Sequence, residues 1–155
     1  MRPINKIIIH CSATDLKKHD NVEWVDTLHT SFGWDGIGYN FFINKKGGIY
    51  VGRPVHKIPA ATKGHNKTSI AICVSGLEDF KSSQMDSLKK LCLNLIITHG
   101  LTHENIHAHN EFNKHKTCPV FSIKPIKFYV EQQTWGKNEK RNGDWWGEGI
   151  TDWNQ

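Results

Sequence analysis

The sequence predicts a single α/β domain in which a central mixed β-sheet is flanked by helices. Two observations indicate this class. Short apolar runs rich in β-branched residues alternate with segments of helical period, and a chain of 155 residues fits one domain without room for a second. A hairpin signal near the middle of the chain adds an antiparallel pair, so strands of both directions are expected.

The first strand and the first helix lie within the first 33 residues. Ile4 to His10 is typical of a buried strand, and its carboxyl end would deliver His10 to a surface cleft. Asp20, with Glu23 three positions later, predicts a helix start, and Gly33 predicts its end. The helical stripe between them consists of Val25, Leu28, His29 and Phe32.

A β-hairpin is predicted next. Residues 38–44 and 49–52 are strand-like, and the turn from Lys45 to Gly48 supplies glycine, which adopts positive φ without strain. The polar stretch 54–68 that follows is predicted to be a loop over the functional site, because loops of this length are often functional.

The second half of the chain is predicted to alternate two strands with two helices. Residues 69–74 are the most apolar run and should form an interior strand. A capping-box pattern at 83–86 begins a helix that faces the core and ends at Gly100. Residues 106–109 suit a short last strand, and a closing helix is expected over 123–130 with a proline in its first turn.

The composition changes from about Glu131 onward. Residues 1–130 are therefore predicted to be the folded domain, and residues 131–155 a tryptophan-rich C-terminal tail without the periodicity of a core element. Two interpretations of this tail stay open: its tryptophans fold back on the domain, or they form an aromatic platform for sugar rings or a partner. These tryptophans are Trp135, Trp145, Trp146 and Trp153.

The net charge of +5 and the isoelectric point near 9.0 indicate a polyanionic partner. Basic residues are spread along the chain and no element is typical of a recognition helix, so direct binding to nucleic acid is not expected and a bacterial envelope fits better. No window approaches the roughly 20 apolar residues of a membrane span. The N-terminal residues lead straight into a strand-like run, so no secretory signal is predicted.

The four cysteines lie far apart without a Cys-x-x-Cys pair, which excludes a zinc knuckle and a thioredoxin motif. They are expected to be free thiols. Cys73 and Cys92 should be small core residues. Cys11 should also be a core residue, because alternation along the strand would point it away from the face of His10.

A metal site is indicated by His10, His109 and Cys118. Imidazole nitrogen and thiolate sulfur are preferred ligands of Zn²⁺, and three protein ligands leave a fourth position free for water, as hydrolytic zinc requires. Spacing alone is weak support, since ten histidines and four cysteines allow many such triples.

The residues around these ligands carry more information than the spacing. They occur as five blocks over roughly residues 4 to 130, and together, in this order, they resemble one family. That family is the zinc-dependent N-acetylmuramoyl-L-alanine amidases of the bacteriophage lysozyme type, which share their fold with peptidoglycan recognition proteins. The blocks are Ile7 to Thr14, Gly36 to Phe41, Asn66 to Ile72, Ala108 to Glu111 and Lys116 to Pro119.

The resemblance implies a fold, a cofactor and a set of roles. Residues 1–130 would be the amidase domain, with an amidase-like sheet and Zn²⁺ held by the three ligands above. Tyr39 matches the tyrosine beside the metal-bound water, and Lys116 matches the lysine that stabilises the tetrahedral carbonyl oxygen. The interval from His109 to Cys118 is nine positions, one longer than expected, so His115 or Lys114 stays open as a substitute for Lys116.

One departure from the family pattern concerns substrate binding. The family commonly has a histidine where this chain has Ala61. His65, in the same loop, is predicted to replace that contact, and Asn66 is kept. These two residues are therefore the predicted substrate-binding residues.

The implied activity is hydrolysis of the amide bond between N-acetylmuramic acid and the L-alanine of peptidoglycan. The implied setting is a monomeric phage endolysin, made in the host cytoplasm and acting on the wall once the membrane is opened. The alternatives are a peptidoglycan-binding module without catalysis, a secreted antibacterial effector and a wall-recycling amidase. A second role on an intracellular protein partner such as a polymerase is also open.

Overall fold

The computed structural model describes the backbone of residues 1–142 and the side chains of residues 1–134. The five strands form one sheet in the order β3-β2-β4-β1-β5. The strands are β1 (Lys6–Cys11), β2 (Phe41–Ile43), β3 (Ile49–Val51), β4 (Ser69–Val74) and β5 (Ile106–Ala108). The helices are α1 (Val22–Ser31), α2 (Ser82–His99) and α3 (Lys124–Asn142).

The sheet is mixed, as predicted. Strand β1 pairs in parallel with β4 on one side and with β5 on the other, and β2 joins β4 in parallel. The hairpin from β2 to β3 supplies the antiparallel pair. Strands β1 and β4 are continuous apolar runs because both faces of the sheet centre are covered by other elements.

Two cores cover the two faces of the sheet. On one face α2 and α3 pack over β1, β4 and β5, and residues such as Ile9, Ile72 and Leu88 are fully buried there. On the other face Val25 of α1 packs with Phe42 and Cys73 in a smaller cluster. The predicted core positions of Cys73 and Cys92 are confirmed, since both are fully buried.

The predicted helix starts were wrong by one or two residues. Asn21 caps α1, with its Oδ1 accepting the N–H of Trp24 at 2.7 Å, while Asp20 accepts the N–H of Lys45 instead. Helix α2 begins at Ser82, and the side chain of Gln84 accepts the N–H of Lys81. Tertiary contacts thus decided which of several capping residues was used.

Helix α3 begins near its predicted start and continues across residue 130 to Asn142. Of the four tryptophans on which the tail prediction rests, Trp135 belongs to the backbone of α3, with its side chain outside the described part, and Trp145, Trp146 and Trp153 lie outside the described residues. Within residues 1–142, no helix combines the length and apolar character needed to cross a membrane.

One buried amide holds the long loop 54–68 to the sheet. The side chain of Asn40 is fully buried, and its Oδ1 accepts the N–H of Ala71 in β4 at 3.0 Å. Its Nδ2 lies within hydrogen-bond distance of the carbonyl oxygens of Arg53, Pro54 and Lys57. The loop therefore starts from a fixed position beside β2.

Candidate metal centre and catalytic site

Two histidines meet at the carboxyl edge of the sheet. Ile9 of β1 is in register with Ala108 of β5, so the next residues, His10 and His109, are neighbours. Nδ1 of His10 lies 3.2 Å from Nδ1 of His109. Cys118 reaches the same point from the loop after β5, and the three donor atoms all lie within 4.8 Å of one another.

The distances fit a zinc ion. Zinc–nitrogen bonds of roughly 2.0–2.1 Å in tetrahedral geometry separate two ligand nitrogens by about 3.3 Å. The observed separation of 3.2 Å between the two Nδ1 atoms is close to this. Two imidazole nitrogens that face each other can be joined by one shared proton. A cation between them is the alternative, because it binds the lone pairs of both nitrogens.

The protonation states of the histidines favour metal binding. Burial, with a smaller contribution from His109, lowers the pKa of His10 well below its ordinary value. Burial, and then the charge of Lys116, lowers the pKa of His109. Both rings are therefore neutral at pH 7, which is the form that ligates zinc.

Cys118 is held against the end of β1. Its Sγ accepts the backbone N–H of Cys11 at 3.0 Å. Without a cation, the neighbouring Cys11 side chain and burial raise the pKa of Cys118, while the contact with Cys118 lowers the pKa of Cys11 to about 7. The two sulfurs thus compete for one negative charge, and a metal ion would place it on Cys118.

The prediction that Cys11 points away from the site was wrong. Cys11 is buried, as expected, but it lines the site cavity and its side chain contacts Cys118. It is the last residue of β1, where the chain leaves the sheet toward Ala13, whose φ is +60°. Strict alternation of side chains does not hold where a strand ends.

Tyr39 lies against His10, one of the candidate metal ligands. Its ring centroid is 5.3 Å from that of His10, and it lines the same cavity. Burial raises the pKa of Tyr39 well above its ordinary value. The hydroxyl is therefore protonated at neutral pH and can donate a hydrogen bond, and the side chain of Cys73 is one partner within its reach.

His29 is a site residue that the sequence prediction did not single out. It is 7% exposed, and its Nδ1 accepts the N–H of Gly38 at 2.8 Å. Its ring centroid lies 5.4 Å from that of Tyr39. His29 thus fixes the backbone just before Tyr39, and its place on the apolar stripe of α1 was the signal that it faces inward.

A cavity of about 320 Å³ opens beside the candidate metal ligands, and His109 and Cys118 are among its lining residues. Lys116 and His115 both line it, whereas Lys114 is not among its lining residues. Apolar side chains also line it, including Trp24, Leu28, Leu77 and Val120. The lining of the cavity therefore combines a cationic group with apolar groups, which suits a substrate of mixed polarity.

The two predicted substrate-binding residues lie in the loop 54–68. His65 packs on Phe112, with ring centroids 4.2 Å apart. Asn66 uses its Oδ1 inside the loop, where it accepts the N–H groups of Ala61 and Thr62 at 3.0 and 2.8 Å. Neither residue lines the cavity beside the metal ligands.

This fold and this site define a class of protein: an α/β domain whose site brings two histidines and one cysteine into position to hold a metal ion. A family model described as N-acetylmuramoyl-L-alanine amidase matches residues 1–121, and the chain belongs to that family of enzymes. The resemblance seen in the sequence is confirmed.

Individual relatives agree with this membership. The chain is 32% identical over 147 residues to the endolysin of Escherichia phage T7, covering 89% of each chain. Among solved structures it is similar to the N-acetylmuramoyl-L-alanine amidase LysC from Clostridium intestinale, with a TM-score of 0.76, 28% identity and coverage of 83% of this chain and 86% of that one.

The predicted likeness to peptidoglycan recognition proteins also holds. The ectodomain complex of recognition proteins LCa and LCx, solved with bound tracheal cytotoxin, matches with a TM-score of 0.68 and 28% identity over 77% of each chain. The fold prediction, a mixed sheet flanked by helices in an amidase-like domain, is therefore confirmed.

Proposed function

We propose that this chain is a zinc-dependent endolysin. It hydrolyses the amide bond between N-acetylmuramic acid and L-alanine in peptidoglycan, with His10, His109 and Cys118 holding the metal. The observation that carries the proposal is the convergence of these three donor atoms within 4.8 Å of one another, beside a cavity lined by Tyr39 and Lys116.

Zinc, when bound, activates water for attack on the amide carbonyl and polarises that carbonyl. The hydroxyl of Tyr39 stays protonated, so it donates a hydrogen bond to the attacking water or to the carbonyl oxygen. The ammonium of Lys116 stabilises the negative charge that develops on this oxygen. The carbon–nitrogen bond then breaks, the acyl carbon keeps the hydroxyl of the attacking water, and the departing amine of L-alanine takes up the proton that this water gave up.

The endolysin setting is supported by the phage relatives. The endolysins of Escherichia phage T7 and Klebsiella phage KP32 match this chain over about nine-tenths of their own lengths. A protein of this kind is made in the host cytoplasm and reaches the wall after the membrane is opened. The positive net charge of +5 suits an anionic envelope.

The complete ligand set favours catalysis over recognition alone. A module that only binds peptidoglycan has no need for a thiolate ligand or for an open coordination position. In this chain both imidazoles and the thiol are present, and burial keeps the rings neutral. An enzyme is therefore the better explanation of the site.

Digestion of purified peptidoglycan tests the proposal. Zinc-loaded protein should release stem peptides that begin at L-alanine, as identified by mass spectrometry. Chelator-treated protein should release none until zinc is returned. Binding to peptidoglycan without release of peptide would support the recognition module instead, and cleavage at a sugar–sugar bond would contradict the assigned chemistry.

Substitutions in the loop test the predicted substrate contacts. His65→Ala should raise KM for peptidoglycan fragments more than it lowers kcat, because His65 is predicted to contact the substrate and not the reacting atoms. Lys63→Ala, in the same loop, is the matched control. An unchanged KM in His65→Ala would remove His65 from the substrate-binding residues.

A further inference from the structure

Thr62 reaches the metal centre from the loop 54–68. Its side chain is buried, at 3% exposure, and Oγ1 lies 3.3 Å from Nε2 of His10. His10 itself is 1% exposed. The contact is made to the ring nitrogen opposite Nδ1, the atom that faces His109. Each ring nitrogen of His10 therefore has a polar neighbour: Thr62 at Nε2 and His109 at Nδ1.

The loop holds Thr62 in place through its backbone. Oδ1 of Asn66 accepts the N–H of Thr62 at 2.8 Å, and the carbonyl oxygen of Thr62 accepts the N–H of His65 at 3.0 Å. These bonds close a tight turn around Gly64, which has a φ of +86°. The hydroxyl is thus presented to His10 by a fixed turn and not by a free loop.

The contact between Thr62 and His10 matters because it can fix which ring nitrogen of His10 carries the single proton. When Nδ1 of His10 binds a metal, the single proton of the neutral ring must be on Nε2. That N–H is buried and requires an acceptor, and Oγ1 of Thr62 is in place to accept it. Without a metal the ring has a second choice, with the proton on Nδ1 directed at His109.

We propose that Thr62 is a positioning residue for the metal centre: its hydroxyl accepts the Nε2 proton of His10 and so selects the tautomer that presents Nδ1 to zinc. This inference rests on the proposed function, since it presupposes a metal ion on His10. Thr62 acts through His10, and it is neither a candidate metal ligand nor one of the residues that line the cavity.

Zinc affinity is the first test. Thr62→Val keeps the shape of the side chain and removes the hydroxyl, whereas Thr62→Ser keeps the hydroxyl. Competition with a chelator should show zinc binding about 10-fold weaker in Thr62→Val, as is usual when a partner behind a metal ligand is lost. Thr62→Ser should bind zinc nearly as the wild type does. Equal affinity in Thr62→Val and wild type would overturn the proposal.

The tautomer of His10 is the second test, and a merely structural role would not change it. Long-range proton–nitrogen NMR spectra identify which ring nitrogen carries the proton. We expect Nε2–H in the chelator-treated wild type, and Nδ1–H in the chelator-treated Thr62→Val protein. Nε2–H in both proteins before zinc is added would contradict the inference.

Two controls separate the possible failures. Melting of the chelator-treated variants shows whether Thr62→Val folds, and Thr62→Ala serves as the second hydroxyl-free variant. Cys118→Ser tests the proposed function itself. If Cys118→Ser binds zinc as tightly as the wild type, the metal centre is wrong and this inference falls with it. If only Thr62→Val matches the wild type, the inference fails alone.

Discussion

The backbone N–H of Gly38 donates to Nδ1 of His29 at 2.8 Å, and this bond joins helix α1 to the segment that carries Tyr39. His29 is buried, so its ring nitrogen is the acceptor that this inward-facing N–H depends on. The neutral ring is favoured because burial lowers the pKa of His29. A helix residue outside the proposed metal-ligand set thereby sets the position of a proposed catalytic residue.

His29→Phe should lower both stability and activity. The ring volume is kept, but the N–H of Gly38 loses its acceptor, which costs about 1–3 kcal/mol. Urea unfolding measures the loss of stability, and peptide release measures activity. His29→Asn is the matched control, because its Oδ1 can stand where Nδ1 stood. Equal stability of His29→Phe and wild type would show that this bond is unimportant.

Substitutions in the site should separate metal binding from catalysis. Cys118→Ser should lose zinc and activity together, because a hydroxyl is a poor replacement for a thiolate ligand. Tyr39→Phe and Lys116→Ala should keep zinc while kcat falls by about 10²-fold or more, since they act on the developing charge. Zinc content by metal analysis and peptide release measure the two effects. Full hydrolysis by Cys118→Ser would refute the assigned ligand set.

Stability of the chelator-treated protein should fall as the pH drops below about 6.5. Burial lowers the pKa of His10, His29 and His109, so the folded protein excludes protons that the unfolded chain binds near its ordinary pKa. The free energy of unfolding then decreases with falling pH. Urea melts across this range give the slope, and His29→Asn should make it shallower. A stability that is constant from neutral pH to about pH 5 would contradict the argument.

Asp15→Asn should destabilise the chain segment that borders the cavity. The two carboxylate oxygens of Asp15 accept the N–H groups of Leu77, Glu78 and Asp79 and pair with Lys45 at 2.8 Å. Lys45, followed by these backbone groups, lowers the pKa of Asp15. Because the carboxyl is partly exposed, the expected loss is only about 1 kcal/mol. Thermal melting measures it, with Asp35→Asn as an exposed control.

Removal of residues 143–155 should leave peptide release unchanged. The residues that line the cavity fall between Cys11 and Val120, and the amidase family model ends at residue 121. The full chain and the shortened chain are compared for zinc content and for release of L-alanine peptides. A pull-down with both chains tests the tail as a partner surface. Loss of catalysis on truncation would place part of the active enzyme beyond residue 142.

Much of this molecule could be predicted from the order of residues. Apolar runs with β-branched residues marked β1 and β4, and the helical repeat after residue 83 marked α2, because period and burial are linked along any regular element. The candidate ligands His10, His109 and Cys118 were also identified from local blocks. Whether a side chain can bind zinc depends on its residue type, and residue types are read directly from the sequence.

The tertiary structure alone decided how these parts meet. Parallel pairing of β1 with β5 set the Nδ1 atoms of His10 and His109 3.2 Å apart, although 99 positions separate these residues in the chain. The turn at the end of β1 brought Cys11 beside Cys118, against the alternation expected of a strand. His29 and Thr62 are each connected to the site by a single hydrogen bond between different parts of the chain, His29 with Gly38 and Thr62 with His10. Such contacts depend on distance and direction in space, and no local pattern of residues encodes them.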